Sequence, residues 1–185
     1  DAPAVRFDQA TATRFFTGSE QDGLEQQLTP ATDAYLRARI ELASKGLVEL
    51  GKFDRAGLTE QQRMSAELAQ WQLQTVVDQE PYIDFVFPLE QMNGVNVRVV
   101  EALTVRHPLL TDKDAVHYVA ALGQVSTRME EAIAETRRRA DKGVLPPRFI
   151  LQATVRQMRG FTEPAPNQNP FVTVFAQKID GIQSM

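Results

Sequence analysis

A chain of 185 residues, 43% hydrophobic and 24% charged, has the make-up of one ordinary folded domain and is too short for two comfortable cores. Its net charge of -4 and pI near 5.3 come from acids and bases interspersed along the sequence, which leaves no basic face for a nucleic-acid backbone, and no apolar run nears the roughly 20 residues that span a bilayer. Zero cysteines remove disulfides, thiolate zinc sites and thiol catalysis, and fit either cytosol or periplasm. The chain starts at Asp1 instead of Met, so it reads as a processed or truncated product.

Within the N-terminal segment 1–28, Val5–Phe16 is expected to form a short helix whose apolar side is Val5, Ala12, Phe15 and Phe16. Thr29-Pro30 pairs an N-cap hydroxyl with a proline at the first helical position, which predicts a helix from Pro30 to about Leu50. Its stripe is Leu36, Ile40, Ala43, Leu47 and Leu50; Gly51 can end it, and Gly46 weakens it by roughly 1 kcal/mol relative to Ala. Thr59 and Gln62 stand at capping-box spacing before a helix with Met64, Leu68, Trp71, Thr75 and Val76 on one stripe, ending near Pro81. With Lys52–Leu58 as the only connection, the two helices should form an antiparallel hairpin.

Between Tyr82 and Val105, the breakers Pro88, Asn93 and Gly94 predict an irregular segment with a brief helix, since no second strand offers a partner for the valines that follow. The clearest element runs from about Asp112 to Lys142. Thr111 and Asp114 can make a capping box, Arg137, Arg138, Arg139 and Lys142 sit at the negative end of the dipole, and Gly143 stops it. Its stripe reads Val116, Val119, Leu122, Ser126, Met129, Ile133 and Ala140. At 1.5 Å per residue such a helix is roughly 46 Å long, against about 40 Å for a compact domain of this size. Pro146-Pro147 opens a further helix to Phe161 with Phe149, Ile150, Ala153, Val155 and Met158 as buried positions; a polar loop and a short last helix, Phe171–Ile179, follow. The expected fold is all-α: one helical domain over residues 1–185, an elongated bundle with a hairpin and one helix of about thirty residues.

Chemistry-bearing residues are sparse. Neither histidine lies in H-E-x-x-H spacing. Asp114 and His117 are three apart and could share a metal, but His117 falls well away from the apolar stripe and reads as solvated. His107, before Pro108, reads as a turn residue capping a carbonyl. Glu130, Glu131 and Glu135 diverge around the helix, with Glu135 placed to pair with Arg139. No residue is assigned a catalytic, cofactor-binding or metal-binding role. The one candidate pocket wall is the turn Gln91, Met92, Asn93 and Gly94, where Gly94 is first a turn glycine.

Taken in order, Phe87–Gly94 (FPLEQMNG), His107-Pro108, Thr111–Tyr118 (TDKDAVHY), Gly143–Arg148 (GVLPPR) and Asn169–Phe175 (NPFVTVF) resemble the N-terminal part of the bacterial domain-of-unknown-function family 885, over most of Thr29–Phe175. Asn93 stands where a second small residue is expected before Gly94. The resemblance implies long, almost entirely helical zinc metallopeptidases of the gluzincin type, often exported or lipid-anchored, with an H-E-x-x-H helix far downstream. Those zinc ligands have no counterpart in this sequence, so the resemblance supplies no catalytic residue, and any zinc belongs to a longer parent. The implied protein is the non-catalytic front of a peptidase-like protein of the periplasm or cell envelope. It would form a cleft wall or lid, with the remainder of its own chain and a peptide substrate as partners. The cytoplasm is the alternative compartment. The alternative functions are a self-contained helical module binding a protein or peptide in an apolar groove, and an exported peptidase regulator.

Overall fold

The structure, a computed structural model, describes residues 7–183. All regular structure among them is helical: α1 (Phe7–Thr13), α2 (Gly18–Glu25), α3 (Asp33–Gly51), α4 (Glu60–Val77), α5 (Val95–Glu101), α6 (Asp112–Leu122), α7 (Val125–Asp141), α8 (Arg148–Thr162) and α9 (Pro170–Gln183). Short 3-10 turns occupy Glu80–Phe85 and Pro166–Gln168, and a π-helical turn, Ala102–Arg106, extends α5. The chain divides into two compact units, Thr32–Val86 and the residues on either side of it, up to Ala31 and from Phe87.

The first unit is the α3/α4 hairpin with the 3-10 turn behind it. Thr32, not Thr29, caps α3, its hydroxyl accepting from the Tyr35 amide at 3.2 Å. Thr29 instead accepts from the Phe7 amide at 3.0 Å within the other unit. Thr59 and Gln62 close the expected capping box on α4. Ile40 and Ala43 of the α3 stripe are buried as their spacing implies. Gly46 faces α4, where a methyl would stand 3.2 Å from Leu73 Cδ1, a close approach that the leucine side chain would have to relieve by a small shift. The α4 stripe is a correction. Met64, Leu68 and Trp71 are 65%, 54% and 65% exposed, and the helix instead turns the partly buried Ala66, Ala69 and Leu73 inward, with Val76 of the expected stripe partly buried as well. Small alanines at three-residue spacing permit a close helix pair; the larger apolar stripe is left outside.

The second unit holds the main core: Leu28, Val95, Val99, Ala102, Leu103, Leu109, Tyr118, Ala121 and Ala132, with Phe171 and Phe175 of α9 packed against it. Tyr118 stacks on Phe175 with ring centroids 4.7 Å apart and donates its hydroxyl to the Phe171 carbonyl at 2.9 Å, which ties α6 to α9. The long helix is present as a 30-residue run, tightened at Gly123–Gln124, where the Gln124 amide bonds the Ala121 carbonyl three residues back. Its ends are as expected: Thr111 and Asp114 form the capping box, and Gly143 stops it at φ +76°. Its buried face is as expected only in part: Leu122 and Met129 of the stripe pack against the core and Ala140 is partly buried. Val116 and Val119 are exposed, while Asp114, His117, Tyr118, Ala121, Ala132 and Arg139 are buried. On α8, Ile150, Ala153 and Met158 are partly buried as expected, whereas Phe149 and Val155 are exposed and Thr154 is the buried residue. At the N-terminus the described part of the expected helix buries Ala10 and Thr11, leaving Ala12 and Phe15 exposed; Val5 lies outside the described residues.

Candidate functional site

The turn before α5 is built on one carboxylate. Glu90 accepts from the Met92 amide at 2.9 Å and from the Asn93 amide, and the Val95 amide closes the loop on the Pro88 carbonyl at 2.8 Å. At Gly94 a methyl group would overlap the Glu90 backbone nitrogen and stand 2.6 Å from its carbonyl oxygen, so the backbone approach admits only glycine. Gly94 is buried, Gln91 half-buried, Met92 and Asn93 exposed. The Gln91 carbonyl accepts from Gln157 Nε2 of α8 at 3.5 Å, and Gln157 Oε1 accepts from Asn96 Nδ2 at 3.0 Å.

This amide pair stands at one side of a cavity of about 570 Å³ bounded by α5, the π-helical turn, α7, α8 and the start of α9. Val97, Val100, Val125, Met129, Met158 and Phe161 supply most of its apolar wall, and its lining begins at Asn96, just past the turn. The π-helical turn contributes Thr104 and Val105. Such wide turns recur at functional positions because they displace side chains from the ordinary helical track.

A second constellation is buried beneath α1, α2 and α6. Glu25 accepts from Arg14 Nε at 3.1 Å, from Gln21 Nε2 at 2.9 Å, and meets His117 Nδ1 at 3.0 Å. Arg14 also reaches Asp114, whose other oxygen caps the Leu110 and Thr111 amides at 2.8 and 3.0 Å. Arg14 sits at φ +47°, an uncommon conformation for a residue with a side chain, at the point where α1 ends and its guanidinium turns back to both carboxylates. His117, expected in solvent, is therefore buried at 4% exposure because Glu25 supplies its polar partner. His107 lies 5.5 Å from Tyr118, edge to face, with Nδ1 2.9 Å from the Pro108 carbonyl and Nε2 3.2 Å from that of Glu25.

Burial pushes the His107 imidazolium pKa below its ordinary value, against the opposing pull of the two carbonyls and the nearby Glu25 and Asp114 charges. Burial pushes Asp114 up, but the Leu110 amide, Arg14 and the Thr111 amide together outweigh it and hold the carboxyl below its usual range. The Tyr118 phenol is pushed up to about 12 by burial, and burial lowers Lys178, whose ammonium donates to the His107 carbonyl at 3.1 Å.

Among the described residues no group of three or more His, Asp or Glu side chains could hold a metal ion. The nearest gathering, Glu25, Asp114, His107 and His117, does not fit one: both carboxylates are committed to Arg14 and other donors, and the His107 nitrogens face carbonyls. The cluster locks α1 and α2 onto α6. Sequence reasoning passed over Arg14, Gln21 and Glu25 because their partners lie up to a hundred residues away. The available signal was Leu24 and Leu28 four apart beside a carboxylate.

The family described as "Bacterial protein of unknown function (DUF885)" matches residues 10–184, beginning well ahead of Thr29 and so including Arg14 and Glu25. No curated protein matches the chain. Among solved structures, that of the putative lipoprotein from Colwellia psychrerythraea superposes with a TM-score of 0.72 at 20% identity, covering 97% of this chain and 34% of that one. This likeness shows a shared fold. The chain spans about a third of the length of the Colwellia protein.

Proposed function

Because the chain belongs to the DUF885 family of bacterial proteins of unknown function, we propose that it acts as a non-catalytic helical portion of a longer, metallopeptidase-like envelope protein, forming a wall or lid of its substrate cleft. The observation that carries this reading is α4, an 18-residue helix with no buried residue that displays Met64, Leu68 and Trp71 along one outer stripe. A contiguous apolar stripe is stable in water when something covers it. The threefold greater length of the Colwellia protein supports further chain as the cover.

In this reading the turn Gln91–Gly94 is the part of the wall nearest the cleft, held in shape by Glu90 and by the Gln157 contact. No zinc chemistry is routed through these residues. The lipoprotein description of the Colwellia protein supports an envelope location, and among the described residues no helix is long and apolar enough to cross a membrane. A precursor starting within a few residues of Asp1 would argue against export.

The test is to read the coding region past Met185 and to assay the purified chain on peptides. The expected result is an H-E-x-x-H helix downstream and no activity in the 185-residue chain. Peptidase activity in that chain, abolished by a chelator, would overturn the proposal. A self-contained binding module is the second reading, favoured by the apolar cavity of the second unit. It predicts a chain that remains monomeric with its apolar stripe dispensable.

A further inference from the structure

We infer that the cavity bounded by α5, the π-helical turn, α7 and α8 is a binding site for a neutral hydrocarbon chain. Its volume of about 570 Å³ lies within the roughly 300–1,000 Å³ of small-ligand sites and exceeds what one amino-acid side chain fills. Every side-chain donor on its lining is already engaged within the protein. Thr104 and Thr162 donate their hydroxyls to the Val100 and Met158 carbonyls at 2.8 and 3.0 Å, four residues back, and so are not free to donate to a ligand. Gln157 bridges Asn96 and the Gln91 carbonyl, which leaves Asn96 Oδ1, packed beside Gly94, as the one buried lining acceptor without a hydrogen-bond partner among the described residues. Glu101 accepts twice from Arg106, at 2.7 and 3.1 Å.

A peptide entering this space would leave its backbone amides without partners, which is strongly unfavourable. A carboxylate would meet Glu101, the acidic side chain on the lining. An uncharged alkyl chain meets neither objection. It would bury its surface against valine, methionine and phenylalanine, and methionine adapts to the irregular shape such a chain presents. The site lies wholly within the second unit, and the inference does not depend on the cleft-wall reading.

The experiment is titration of the full 185-residue chain with the neutral fluorophore N-phenyl-1-naphthylamine, followed by competition with 1-decanol, decanoate and a blocked leucine tripeptide. Gly160 of α8 lines the cavity, and a Cβ there meets no atom within 4 Å, so Gly160→Phe should enter open space without disturbing the backbone. The expected result is saturable binding displaced by decanol, about tenfold weaker in Gly160→Phe, and unchanged in Trp71→Gln, which controls for dye on the α4 stripe. Circular dichroism checks that each variant keeps its helices. Binding lost in Trp71→Gln but kept in Gly160→Phe would overturn the assignment. So would displacement by the tripeptide but not decanol, equal competition by decanoate, or no saturable binding.

Discussion

The hairpin Thr32–Val86 and the body of the second unit are built from the same materials and treat them differently. In the second unit Leu103 and Ala132 have no exposed surface, Tyr118 is 1% exposed, and even Glu25, Asp114 and His117 are buried, each with a polar partner. In the hairpin, Ile40, Ala43 and Ile83 are the buried apolar residues, while Trp71, the one tryptophan of the chain, stands 65% exposed. Charges taken inside the second unit, while Val116 and Phe149 there stay as bare as Met64 and Trp71 of the hairpin, show that hydropathy did not decide what went inside. Partners did: a carboxylate with three donors is satisfied in a core, and a tryptophan with nothing opposite it stays out.

That contrast can be broken where it is strongest. Leu103→Ala in the second unit should lower stability by about 3–4 kcal/mol through transfer and cavity terms, read by urea unfolding, whereas Leu68→Ala in the hairpin should hardly register. Gly94→Ala forces a methyl onto the Glu90 backbone and should lower stability by about 2–3 kcal/mol in the same assay; a neutral result would mean the turn opens freely. Glu25→Ala strands Gln21 and His117 and releases Arg14. Since Arg14 is 38% exposed and finds water, about 2 kcal/mol is expected instead of the larger loss of a fully buried pair.

A smaller effect sharpens the comparison through pH. With the folded His107 pKa below its ordinary 6.5, the unfolded chain binds the proton first, so this contribution is intact above about pH 6.5 and is lost as pH falls through the folded value. Asp114 has the same sign in a lower window, its contribution present above its ordinary 3.8 and lost as acid protonates the folded carboxyl. Stability measured across these ranges should therefore decline in two stages on acidification, and His107→Gln should flatten the first. Least affected of all should be Leu68→Gln on the α4 stripe, within about 0.5 kcal/mol in stability, with reduced self-association as its signature.

Sequence order foretold the local devices and misjudged the faces. Thr59 with Gln62, Thr111 with Asp114, and Gly143 could be read because a cap and a stop involve residues within one turn of each other. The all-α fold and the hairpin followed from those caps and the short connection. Of the apolar stripe on the long helix, Leu122 and Met129 do face the core, while Val116, Val119 and Ile133 stay exposed because Asp114 and His117 are buried instead, and their compensation comes from Arg14 and Glu25 at the far end of the chain. Helix α2 escaped notice because its eight residues include two glycines and one large apolar side chain. Of the site, the turn glycine was legible; the cavity was not, since its wall is assembled from four separate helices and a π-helical turn that no periodicity announces.

The outer face of α4, with Met64, Leu68 and Trp71 bare along it, is the surface whose covering separates the cleft-wall reading from the binding module. The direct measurement is multi-angle light scattering of the 185-residue chain over rising concentration, beside a Met64→Gln, Leu68→Gln, Trp71→Gln variant checked for equal helicity. Self-association in the parent chain that vanishes in the variant is the predicted result. A parent chain that stays as monomeric as the variant at every concentration would contradict it, and would move the self-contained binding module to first place.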